Sequence, residues 1–87
     1  MTLDFPNRSR SFDQVRNAVR FVGHDGMFEV PFFVDTAVLA RLDTVPRSEA
    51  DYLAAFDSAV ASIHEVAREA YSYGRRTFYM LTASDFR

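Results

Sequence analysis

The chain has 87 residues, 48% of them hydrophobic, with nine Phe, four Tyr and a formal net charge of −2. That length holds one domain, 1–87, with no room for a second core, and the apolar content excludes a disordered chain. Cysteine and lysine are both absent, which removes disulfides, thiolate nucleophiles, zinc–thiolate sites, Schiff-base amines and the P-loop lysine.

The first residues, MTLDFPNRSRSF, lack the apolar h-region of a signal peptide. Charges recur too often for the run of about twenty apolar residues that a membrane helix needs. A cytoplasmic protein without a membrane span is expected. All ten basic residues are arginine, which a codon-biased genome explains without a functional cause. The two ends of the chain are mildly basic and the middle is acidic, so the chain has no global attraction for polyanions.

In chain order, Leu3-Asp4-Phe5 reads as a short strand stopped by Pro6, which has no N–H to give to a ladder. Asn7 to Ser11 reads as a loop. Ser11-Phe12-Asp13-Gln14 has the outline of a capping box, which predicts a helical turn over Asp13–Arg16. The run AVRFVGHDGMFEVPFFV, residues 18–34, places two β-rich stretches around Asp25-Gly26 and predicts a hairpin. A four-residue loop, His24–Met27, sets Phe21 opposite Val30 and Val19 opposite Phe32, and turns the nitrogen of Pro31 away from its partner strand. Val19, Phe21, Val30, Phe32 and Val34 then share the core face. Arg20, Val22, Glu29, Pro31 and Phe33 share the other, with Arg20 diagonal to Glu29 and within reach of an ion pair.

Asp35 is an N-cap for a short helix over 36–42. Thr44-Val45-Pro46-Arg47 is a break. Ser48 caps a long helix over 49–73, whose Leu53, Phe56, Val60, Ile63, Ala67 and Ala70 form one apolar stripe opposite Ser58, Ser62, Glu65, Glu69 and Ser72. At the standard rise this helix is about 37 Å long, so it must bend or project beyond a domain of this size. Gly74 is the expected left-handed C-cap, with Arg75 and Arg76 complementing the helix dipole. Thr77 to Thr82 alternates as a closing strand.

The candidate chemistry is thin. His24 and His64 belong to no metal-ligand spacing, and His64-Glu65 lacks the second histidine of a zincin motif. Glu65 and Glu69 fit a solvated helix face better than an acid–base pair. No serine sits in a nucleophile elbow. The residues thus point to no catalytic group, no metal site and no cofactor. Arg8, Arg10, Arg75 and Arg76, with Tyr71, Tyr73 and Tyr79, make a second reading, a basic aromatic surface for single-stranded nucleic acid. Helix-end and loop arginines explain the same residues, and the acidic middle weighs against nucleic acid.

The series LDFP, SRSFD, AVRFVGHD, FEVPFFV, LAAFD and GRRTFYMLTASDF resembles a small bacterial family catalogued as domain of unknown function 1488, over nearly the whole chain. The resemblance implies a compact α+β fold in which strands precede two helices and a last strand closes the chain. It implies no activity, cofactor or catalytic residue.

The expectation is therefore an α+β fold of order β-β-β-α-α-β. A small antiparallel sheet of three or four strands, with an N-terminal hairpin, packs against one long and one short helix. One sheet face is left without helices. Val22, Pro31 and Phe33 are expected on it, together with one alternate set of the closing strand, Phe78 and Met80 or Tyr79 and Leu81. Val22, Phe33, Tyr79 and Leu81 are the candidate interface residues, and Leu3 and Phe5 are candidates to fold over part of it. An apolar face beside an edge strand marks an interface. The function expected is a protein-interaction module, homodimeric or with another protein partner.

Overall fold

The computed structural model describes residues 3–6, 9–42, 48–74 and 76–86, with only the backbone given for Arg41 and Leu42. The fold is α+β, with four strands in the order β1 (Arg10–Asp13), β2 (Ala18–Asp25), β3 (Phe28–Asp35) and β4 (Tyr79–Leu81). Among the described residues, three helices separate β3 from β4: α1 (Thr36–Leu42), α2 (Glu49–Ser58) and α3 (Val60–Tyr73). A short 3-10 turn, Ala83–Asp85, follows β4.

The first strand is not where its residues suggested. Leu3–Phe5 makes one bridge, Asp4 to His24, with Asp4 N–H to His24 O at 2.8 Å and His24 N–H to Asp4 O at 2.7 Å. The strand is Arg10–Asp13, and the predicted helical turn over Asp13–Arg16 is instead the strand's end and the start of a four-residue hairpin loop. Asp13 Oδ1 accepts the Arg16 backbone N–H at 3.0 Å, and Asn17 takes φ 54. The capping box read on Ser11 to Gln14 is not formed: Ser11 lies within β1, and the side chain that accepts a backbone N–H here is Asp13, which closes a hairpin. The polar residues Arg10, Ser11 and Asp13 hid a strand that lies at a sheet edge, where hydrophobic alternation is weak.

The β2–β3 hairpin keeps its predicted faces and changes its register by two residues. Phe21 lies opposite Phe32 and Val19 opposite Val34, and the loop is Gly26-Met27 alone. Gly26 has φ 62, as the first central residue of a two-residue II′ turn requires. A slide of two leaves every side chain on its own face, so hydrophobic alternation cannot detect it. Pro31 is accommodated in the observed register too. It pairs with Val22, a step that falls between hydrogen-bonded pairs when Asp25↔Phe28 closes the turn. On its other side β4 begins its pairing at Phe32, just beyond the proline. The Arg20–Glu29 pair expected across this hairpin does not form: Arg20 lies opposite Phe33 and Glu29 opposite His24.

β4 pairs with β3 in parallel, so the sheet is mixed rather than antiparallel. The chain leaves β3, crosses through the helices and returns in the same direction, which is the connection a parallel neighbour needs. The strand is shorter than the predicted Thr77–Thr82.

Both helix starts are as read. Ala37 N–H donates to Asp35 Oδ1 at 3.0 Å, and Asp51 N–H donates to Ser48 Oγ at 3.3 Å. The Thr44–Arg47 break lies outside the described residues. The long helix is broken at Ala59, which resolves the excess length. Ser58 Oγ donates to Ala54 O at 3.0 Å, a back-bond that bends helices, and Ala59 has φ −112 and ψ 15. The bend lets both halves lie on the sheet, with α2 over β1 and β2 and α3 against β4. The stripe faces inward: Phe56, Ile63 and Ala67 are buried, while Ser58, Ser62, Glu65, Glu69 and Ser72 are exposed.

Gly74 is not a left-handed cap. Its φ of 164 is extended backbone, and its carbonyl accepts the Tyr79 hydroxyl, which in turn accepts the Arg76 N–H at 3.2 Å. The helix end is thus sealed by a side chain from the next strand.

One core fills the space between sheet and helices. Phe21 stacks on Phe32 with ring centres 5.3 Å apart, and Phe56 and Tyr79 extend the cluster at 5.1 and 5.0 Å. Leu3 and Phe5 belong to this side too. Phe5 stacks on His64 at 3.9 Å and Arg68 Nε donates to Leu3 O at 3.1 Å. They do not fold over the opposite face. A Cβ at Gly23 would sit 2.9 Å from Phe5 and 3.0 Å from Leu3, so this glycine is the hollow that seats the N-terminal segment. Gly23→Ala is expected to cost about 1–3 kcal/mol through overpacking. Hydrogen exchange at the Asp4 and His24 amides should quicken, and unchanged protection would show that the hollow holds nothing in place.

Candidate functional site

Three helices and the N-terminal segment pack on the Phe21 side of the sheet, and the residues they bury form one cluster with it. Side chains alternate along each strand, so the register places Ser11 of β1, Arg20 and Val22 of β2, Glu29, Pro31 and Phe33 of β3, and Met80 of β4 on the reverse side. None of these belongs to the core cluster. Among the described residues, no helix covers this face.

The middle of the reverse face is apolar. Val22 and Pro31 are paired neighbours and Phe33 pairs with Met80; Val22, Pro31 and Met80 are half-buried. Phe78, just before β4, stands edge-on to Phe33 with ring centres 5.8 Å apart and remains 43% exposed. Phe33 itself is only 5% exposed, because the Arg16 guanidinium lies 4.6 Å from its ring centre and 5.7 Å from that of Phe78. Arg16 also pairs with Asp13 at 3.0 Å. The Arg16 backbone N–H and then its guanidinium hold the Asp13 carboxyl below its ordinary range, against an opposing desolvation. This stabilisation is full above the unfolded Asp value near 3.9. It is lost as pH falls through the lower folded value. A carboxyl-carbon NMR titration of Asp13 should have its midpoint below about 3.9, and an unshifted midpoint would mean that the turn does not persist in solution.

Of the residues singled out for this face by sequence, Val22 and Phe33 are on it. Tyr79 and Leu81 are not: they pair with Phe32 and Val34 and are 3% and 1% exposed within the core. The closing strand offered two alternating sets, and the set that faces outward is Phe78 and Met80. Nothing in an apolar run such as FYML separates the two, because both sets are hydrophobic. The parallel pairing decides it.

Of the arginines of the nucleic-acid reading, the two described, Arg10 and Arg76, are not brought together. Arg10 is held in a two-pronged pair with Asp57 of α2, Nε to Oδ1 at 2.8 Å and Nη2 to Oδ2 at 2.7 Å. The carboxylate's hydrogen bond raises the Arg10 pKa further. Arg10 and Tyr79 lie on opposite edge strands, in register through Phe21 and Phe32, about 14 Å apart at the usual strand spacing. Arg76 is exposed beyond that second edge. Arg8 and Arg75 lie outside the described residues.

His24 and His64 are on opposite faces. His24 is flanked in register by Asp4 and Glu29, yet no three His, Asp or Glu among the described residues are arranged to hold a metal ion. His64 lines a cleft of about 370 Å³ with Ser9, Phe56 and Val60, where the nearby carboxylate, Asp57, is already engaged by Arg10. No helix among the described residues is long and apolar enough to cross a membrane.

The family model described as "Protein of unknown function (DUF1488)" matches residues 3–82. The chain belongs to the DUF1488 family. The matched segment opens at Leu3, whose side chain lies over Gly23, and closes just after β4, so it takes in β1 to β4 and α1 to α3 of this DUF1488 fold and ends before the 3-10 turn. No match was found among curated proteins or among solved structures. The family description carries no activity, so the geometry of the reverse face is the ground for a functional reading.

Proposed function

We propose that this DUF1488 protein is a non-enzymatic, cytoplasmic interaction module that pairs with a second copy of itself through the reverse face of its sheet. The carrying observation is the one-sidedness of the packing. The helices and the N-terminal segment use the same side, and the other keeps Val22, Pro31, Phe78 and Met80 partly in water. Apolar sheet faces are usually buried against a second layer, and a sheet-on-sheet sandwich is the standard way to cover one. Four strands about 4.8 Å apart and three same-face rows about 6.8 Å apart cover roughly 400 Å² in projection. Over two copies that is about 800 Å², below the roughly 1,000 Å² that a stable interface clears, so weak, transient association at high micromolar concentration is the expectation.

Light scattering on the purified chain tests the reading. A molar mass that rises from 9.9 kDa toward twice that value, between about 10 µM and 0.5 mM, supports it. A constant monomer mass across the range would end it.

A further inference from the structure

The reverse face has electrical polarity as well as an apolar centre. Arg20 lies at one end, beside the Arg16–Asp13 pair and Asp35, whose carboxylate is engaged in capping α1, and Glu29 lies at the other, beside His24 and Asp4. Along β2, the partner positions of these two charges are Arg20 itself and His24, four residues or about 14 Å apart. Arg20 and Glu29 are exposed, and neither has an ion-pair partner among the described residues. Val22 and Pro31 lie between them as a directly paired step.

From this arrangement, and resting on the self-association proposed above, we infer that the two copies pack end over end. Arg20 of each meets Glu29 of the other across the Val22–Pro31 centre. A closed pair of identical chains has a two-fold axis, and any contact it makes is made twice. An axis lying between the two faces and running across the strands reverses each strand and sets the basic end of one copy on the acidic end of its mate. An axis running along the strands would set Arg20 near Arg20 and Glu29 near Glu29, and juxtaposed like charges disfavour that docking. The polarity of the face therefore selects one of the two arrangements. The apolar centre supplies adhesion, and the charged ends supply direction.

Reversing one charge at a time tests this. In Arg20→Glu, both ends of the face are acidic; in Glu29→Arg, both are basic. Each variant alone should show a dissociation constant raised about tenfold or more over the unsubstituted chain. An equimolar mixture should recover association at near the original affinity, because both contacts between unlike variants join opposite charges. Circular dichroism checks that each variant stays folded, as exposed positions allow. If both single variants dimerise as the original does, or if their mixture stays monomeric, the end-over-end pairing is overturned while self-association stands. If the unsubstituted chain is itself monomeric, both proposals fall together.

Discussion

Tyr79→Asp is expected to unfold the chain. Its ring is 3% exposed, packed 5.0 Å from Phe32 and 6.0 Å from Tyr71, and its hydroxyl joins the Gly74 carbonyl to the Arg76 N–H. Removing a large buried aromatic costs about 3–5 kcal/mol. An unpaired carboxylate in the same space adds several more, or forces its own protonation. A domain of 87 residues has only about 4–13 kcal/mol in total at the usual stability per residue. Far-ultraviolet circular dichroism at 25 °C should show the helices lost and no cooperative thermal transition. A native spectrum with a sharp transition would contradict the placement of Tyr79 on the helix side of the sheet.

The next residue should behave in the opposite way. Met80 pairs with Phe33 on the reverse face and is half-buried, so Met80→Asp puts its charge where water reaches it. The fold should survive with a loss of about 1 kcal/mol, as is usual away from a core. Self-association should disappear, because an unpaired carboxylate would have to be desolvated inside the interface. Molar mass and circular dichroism read together separate the two effects. Two neighbouring positions given the same substitution should therefore yield an unfolded chain in one case and a folded monomer in the other. If Met80→Asp associates as the original does, the interface lies elsewhere on the molecule.

How far the sequence could be read follows from which physical signals it carries. Val19, Phe21, Val30, Phe32 and Val34 went to the core face because strand alternation has a period of two and leaves only two choices. The same period made the register invisible, since sliding Phe21 from Val30 to Phe32 changes no face. Gly26 chose between them through its positive φ. The apolar stripe on 49–73 was plain, and its excess length forced a bend; Ser58, read only as a polar-face residue, is where the bend occurs. A polar edge strand such as β1 resembles a loop in sequence. β4 is visible as a strand, but its inward and outward sets are not separable in a run that is apolar throughout. Half of the candidate site was therefore legible in Val22 and Phe33. The other half, Phe78 and Met80, waited on a parallel pairing that local sequence does not encode. The N-terminal segment is a further case. Leu3 and Phe5 announced only that they needed burial, and Gly23 determined on which side.

On the function proposed above, a second copy covers the side of the sheet without helices. A dilution series followed by methyl NMR tests it at the residues themselves. The methyl resonances of Val22 and Met80 should move together with concentration, while Ile63 in the core and Met27 at the exposed hairpin tip stay fixed. Movement at Met27 with Val22 and Met80 unchanged would place the contact at the hairpin tip and contradict the account, as would a spectrum that is the same at every concentration.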